Sequence, residues 1–122
     1  MSPSGASNIL IVEEDPIQAA ALQGYLRERG YSCDLAATPR HALDLCEHEL
    51  YDLALVNAIY RGVHGSGSHL IDRLQHVHFL PSLLVTGVRD PPTGSGAVLR
   101  KPYTGRQCLR MIAAQLRLTS PL

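Results

Sequence analysis

Two adjacent carboxylates (Glu13 and Glu14), a carboxamide (Asn57), a hydroxyl (Thr86) and an ammonium (Lys101) are the side chains of this 122-residue chain that could do chemistry together. Paired carboxylates supply the hard oxygen ligands that Mg²⁺ prefers, usually one or two per ion with water and phosphate filling the rest. An ammonium beside them stabilises negatively charged oxygens. The carboxamide breaks the set, because it has no anionic oxygen with which to attack an electrophile. Ten of the eleven basic residues are Arg, and Lys101 is the only lysine. A function that needs an ammonium rather than a guanidinium has nowhere else to find it.

These residues are far apart in the sequence, so something must gather them. Asn8-Ile9-Leu10-Ile11-Val12 is an unbroken apolar run with β-branched members, as in a strand buried on both faces. Asp15 and Pro16 follow as N-cap and first helical residue, and Gly30 provides the stop. Tyr31–Leu35 reads as a second strand, Thr38-Pro39 opens a second helix, and Asp52–Asn57 is a third strand. A glycine-rich loop, Gly62 to Ser68, leads to a helix from about His69 to His76. Leu83–Thr86 and Ala97–Leu99 are the fourth and fifth strands, and Thr104-Gly105-Arg106-Gln107 caps a last helix reaching about Leu118. Alternating strands and helices with short connections predict an α/β, doubly wound parallel sheet. In such sheets ligands gather outside the carboxyl ends of the strands, where Glu13, Glu14, Asn57, Thr86 and Lys101 all fall.

In order and spacing, Ile9–Pro16, Gly30-Tyr31, Tyr51–Asn57, Leu84-Val85-Thr86-Gly87 and Lys101-Pro102-Tyr103 together resemble the response regulator receiver domain. The similarity runs from about Asn8 to Leu118. It implies a flavodoxin-like five-stranded sheet in the order 2-1-3-4-5 with helices on both faces. It further implies that the acidic pair binds Mg²⁺, that the residue at 57 accepts a phosphoryl group from a histidine kinase, and that Thr86 and Lys101 sense the phosphoryl oxygens. The family more often has Asp where Glu14 stands, so the principal ligand is one methylene longer here.

The departures from the family pattern carry the functional expectation. Asn57 occupies the phosphoacceptor position without a nucleophilic carboxylate, and its neutrality weakens any Mg²⁺ site at Glu13 and Glu14. Val98 occupies the position of the switch aromatic, three residues before Lys101. Only fourteen residues, Gly87 to Arg100, separate Thr86 from Lys101, and they include Pro91, Pro92, Gly94 and Gly96. That density opposes a helix, so the helix between the fourth and fifth strands is expected to be absent or reduced to a turn. Lys101 is expected to pair with Glu13 or Glu14, or to hydrogen-bond Asn57.

The expectation is a non-catalytic, phosphorylation-independent receiver at residues 8–118, with residues 1–7 as a disordered N-terminal segment and no required cofactor. Its partner would be a histidine kinase, another response regulator or a second copy of itself. One alternative is a phosphoryl-accepting receiver whose Asp was replaced by Asn57. Another is a flavodoxin-like small-ligand domain around Gly65–Ser68. A balance of eleven basic against eleven acidic residues speaks against a nucleic-acid partner. No apolar run is long enough to span a bilayer, and no signal peptide opens the chain, so a cytoplasmic location is expected.

Three cysteines without CxxC spacing predict reduced, mostly buried thiols, and six histidines match no structural zinc signature. On the last helix, Leu109, Ile112, Ala113 and Leu116 predict a core stripe. Cys108, Met111 and Leu118 form a second apolar stripe, which either widens that core face or serves as a partner surface.

Overall fold

A computed structural model of the protein describes residues 7–57, 66–87 and 97–119. Five strands and four helices follow one another in these segments: β1 Asn8–Val12, α1 Pro16–Arg27, β2 Ser32–Ala36, α2 Pro39–His48, β3 Leu53–Asn57, α3 Ser66–Val77, β4 Ser82–Thr86, β5 Val98–Arg100 and α4 Gly105–Thr119. All strand pairings are parallel, in the order β2-β1-β3-β4-β5. This is the doubly wound parallel sheet that the alternating pattern predicts, in the flavodoxin-like order that the resemblance implies.

The two-residue period of the strands builds two cores from one sheet. Ile9, Ile11, Leu53, Leu55, Leu83, Val85 and Leu99 face α1 and α4, where Leu26, Cys108 and Ile112 complete the layer. Leu10, Val12, Ala54, Val56 and Leu84 face α2 and α3, against Ala42, Leu70, Ile71 and Leu74. Central strands sandwiched in this way must be apolar at consecutive positions, as Leu53–Val56 is. Ser82 is the exception in β4; its buried hydroxyl donates to the Leu80 carbonyl at 3.1 Å.

The helix boundaries follow from their caps. Asp15 Oδ1 accepts from the Ile17 and Gln18 N–H groups at 2.9 and 3.4 Å, with Pro16 at the first helical position. Thr38 Oγ1 caps α2 through the His41 N–H at 3.1 Å. Thr104 and Gln107 form the reciprocal capping box of α4, at 3.1 and 2.8 Å. Gly30 adopts φ +94°, the left-handed turn that favours glycine after a helix.

The start of one helix differs from the sequence reading. Helix α3 begins at Ser66 rather than near His69. Packing of Leu70, Ile71 and Leu74 on the sheet outweighs the poor helix propensity of Ser66-Gly67-Ser68. The glycine-rich loop from Gly62 to Gly65 lies outside the described residues, as do residues 1–6 of the expected frayed terminus. So do residues 88–96, on which the expected loss of a helix between β4 and β5 depends.

Helix α4 corrects the proposed partner stripe. Cys108 is fully buried beside Ile112, Met111 is half-buried against the same layer, and only Leu118 is exposed. The supposed second stripe is mostly the edge of the core face, because α4 packs its apolar arc against both the sheet and α1. No helix among the described residues is long and apolar enough to cross a membrane.

Candidate functional site

Strand order reverses around β1, whose neighbours are β2 and β3, and the crevice of a doubly wound sheet opens at the carboxyl ends of such strands. Glu13 leaves β1 there, and its N–H donates to the Ala36 carbonyl of β2 at 3.0 Å. Asn57 is the last residue of β3, in register with Val85, and Thr86 closes β4 in register with Arg100. The N–H of Lys101 donates to the Thr86 carbonyl at 2.8 Å, which extends the β4–β5 ladder to the lysine. The Lys101–Pro102 peptide is cis.

Glu13 and Asn57 meet across the crevice. The Asn57 carboxamide Nδ2 donates to Glu13 Oε1 and Oε2 at 3.0 and 2.9 Å. The Asp15 N–H adds a third donor, 3.1 Å from Glu13 Oε2. Asn57 is 8 % exposed, Thr86 is fully buried, and Glu13 and Lys101 are half-buried. A cavity of about 30 Å³ is lined by Glu13, Gln18, Asn57, Lys101 and Tyr103 over an apolar floor that includes Ile11, Leu55 and Val85.

The structure therefore gathers Glu13, Asn57 and Lys101 at one cavity and sets Thr86 beside them. Glu14 is exposed. Among the described residues no ion pair within 4.0 Å joins Lys101 to Glu13 or Glu14, so the expected lysine–carboxylate pair is not formed. The reason is local: both Glu13 oxygens already accept from N–H groups. Val98, at the switch position, is half-buried and packs on the α2–α3 side of the sheet.

Asp15 and Tyr103 were missed as site residues. Asp15 both caps α1 and orients Glu13. The Ile17 and Gln18 N–H groups hold its carboxyl below the usual carboxylate range, with the field of Lys101 adding to them. Tyr103 was legible only as part of the Lys101-Pro102-Tyr103 motif; burial pushes its phenol up. An open groove between α1 and α4 shares Lys101 and Tyr103 with the site and is walled by Leu22, Tyr25 and Pro102.

A receiver pocket implies Mg²⁺, and the side chains present do not fit it as arranged. Glu13 already accepts three N–H contacts, Asp15 is committed to its cap, and Glu14 is exposed. Among the described residues no group of three or more His, Cys, Asp or Glu side chains is placed to hold a metal ion.

The fold is that of response regulator receiver domains of the CheY-like type, and the chain is similar to such proteins in sequence and structure. No family model matches the chain. The regulatory protein VanR of Enterococcus faecium is 24% identical over 119 residues, covering 92% of this chain and 51% of that protein. The chain thus spans about half the length of the curated relative it matches. A two-component response regulator from Clostridium difficile superposes with a TM-score of 0.81 at 27% identity, covering 93% of this chain and 99% of that one. A CheY-like receiver domain protein from Methanospirillum hungatei JF-1 gives a TM-score of 0.82 at 23% identity, covering 93% and 96%.

Proposed function

We propose that this receiver domain takes no phosphoryl group and acts in two-component signalling as a protein-interaction module, without a catalytic step of its own. The observation that carries the proposal is the Asn57 carboxamide turned onto Glu13 at the phosphoacceptor position. Acyl-phosphate formation requires a carboxylate oxygen to attack phosphorus, and a carboxamide supplies none. The partner is a histidine kinase or another response regulator. Recognition uses the receiver surface in one constant state, so binding competes with a phosphorylatable receiver or sequesters its kinase.

The retention of Lys101 and Thr86 around the acceptor position favours one second reading, a phosphoryl-accepting pocket altered only at residue 57. Incubating the wild type and Asn57→Asp with Mg²⁺ and acetyl phosphate, then measuring intact mass, separates the two. The expected result is an unmodified wild type. A wild type that gains a phosphoryl group on Glu13 or elsewhere in the pocket overturns the proposal. A variant that gains one and then changes its partner affinity supports the second reading.

A further inference from the structure

A half-buried carboxylate at the end of a sheet needs positive charge or hydrogen-bond donors to offset its lost hydration. Glu13 meets that need entirely from within the chain. Three N–H···O contacts reach it, two from Asn57 Nδ2 at 3.0 and 2.9 Å and one from the Asp15 backbone at 3.1 Å. We infer that the Asn57 carboxamide takes the place of a divalent cation, so that this pocket is closed by its own hydrogen bonds and does not respond to Mg²⁺.

Three features carry the inference. The first is polarity: the amide presents the positive end of its N–H dipoles to the carboxylate, the position a cation would otherwise hold. The second is the lining: among the described residues Glu13 is the one carboxylate at this cavity and the Lys101 ammonium shares it, whereas Mg²⁺ is held through one or two carboxylates with waters and phosphate. The third is the cost of entry. A cation approaching Glu13 competes with the Asn57 contacts, which are made by an amide that is 8 % exposed.

The same geometry states what one atom exchange does. In Asn57→Asp, an oxygen replaces a nitrogen that lies 2.9–3.0 Å from both Glu13 oxygens, and two carboxylates then face each other. Like charges at that distance repel strongly, and a bound divalent cation relieves them. The variant gains the cation dependence that the wild type lacks.

This inference rests on the reading of Asn57 as the residue at the acceptor position, but its test is separate from the phosphodonor experiment. Thermal unfolding of the wild type and Asn57→Asp is followed in EDTA, in millimolar MgCl₂, and in KCl of matched ionic strength. The wild type is expected to melt at one temperature in all three. Asn57→Asp is expected to melt lower in EDTA and to rise saturably with MgCl₂ by about 5 °C. If the variant is unfolded in EDTA, recovery of the folded state by MgCl₂ and not by KCl is the same result. A saturable MgCl₂ response of the wild type overturns the inference, as does a folded variant that ignores the cation. Wild type that binds Mg²⁺ yet stays unphosphorylated overturns this inference alone; wild type that is phosphorylated overturns the proposed function.

Discussion

The backbone N–H of Lys101 bonds to the carbonyl of Thr86 at 2.8 Å, so the only lysine of the chain is positioned by the sheet itself. Its ammonium makes no salt bridge to Glu13 or Glu14, and Glu13 takes its donors instead from Asn57 and Asp15. Backbone placement and side-chain pairing are therefore separable at this site, and substitutions test them separately.

Removing the acceptor of the Asn57 contacts destabilises the fold. Glu13→Ala leaves a buried carboxamide facing a void, and hydrogen bonds to charged groups contribute roughly 1.5–3 kcal/mol. Urea unfolding of Glu13→Ala is expected to show a loss in that range, with Glu14→Ala, an exposed neighbour, close to wild type. Equal losses from both contradict the assignment of Glu13 alone to the cavity.

The cap of α1 makes stability depend on acid. Asp15 has a folded value below its unfolded one, so its stabilisation is present above the ordinary carboxylate range and is lost as pH falls through the lowered value. Asn also caps helices but does not titrate there. The difference in Tm between wild type and Asp15→Asn is expected to shrink steadily as pH is taken from neutral to strongly acidic. A difference independent of pH removes the cap from the account.

Burial pushes the thiols of Cys33 and Cys108 up to about 11, and the less buried Cys46 is raised less. A thiol with a raised folded value stabilises the fold fully below its unfolded value near 9 and loses that contribution as pH climbs toward 11. Native-state labelling with a maleimide is expected to modify Cys46 first. Cys33 and Cys108 are expected to react only on unfolding.

A strained residue lies two positions past the end of α3. Phe79 has φ 51° and is 84% exposed, while the Leu80 N–H reaches back to the Leu74 carbonyl at 2.8 Å. A left-handed backbone costs a β-carbon residue roughly 1–2 kcal/mol, and glycine avoids most of it. Phe79→Gly is expected to raise stability by about 1 kcal/mol in urea unfolding. A destabilised variant means that the aromatic ring makes contacts worth more than the strain.

Gly105 is required by its neighbour rather than by its own backbone. A β-carbon there meets the ring and hydroxyl of Tyr25, which Arg29 stacks upon at 3.7 Å and holds in place. Gly105→Ala is expected to cost about 1–3 kcal/mol, and Tyr25→Leu in the same chain is expected to restore most of it.

The legible part of the protein is the part governed by period and punctuation. The apolar runs at Ile9–Val12 and Leu53–Val56 announced central strands, and Asp15-Pro16, Thr38-Pro39 and Thr104–Gln107 announced helix starts. The convergence of Glu13, Asn57, Thr86 and Lys101 followed from strand order. What sequence spacing did not carry was which polar atom faces which. Lys101 was expected to pair with Glu13 or Glu14 or to hydrogen-bond Asn57, and the ion pair is not formed. The Asn57 amide meets Glu13 instead because β1 and β3 are adjacent and bring it into direct register. The second stripe of α4 was left open between core edge and partner surface, and Cys108 falls on the core side: on a helix packed against two neighbours, an apolar arc wider than one stripe is still core.

The seat of Tyr25 against Gly105 has a consequence for information rather than for stability. It keys α1 to α4 across the groove beside Lys101, and Gln18, Leu22, Lys101 and Tyr103 line both that groove and the site. A partner that grips this side therefore meets both helices together, and a change at Tyr25 or at Gly105 alters the surface that the other presents.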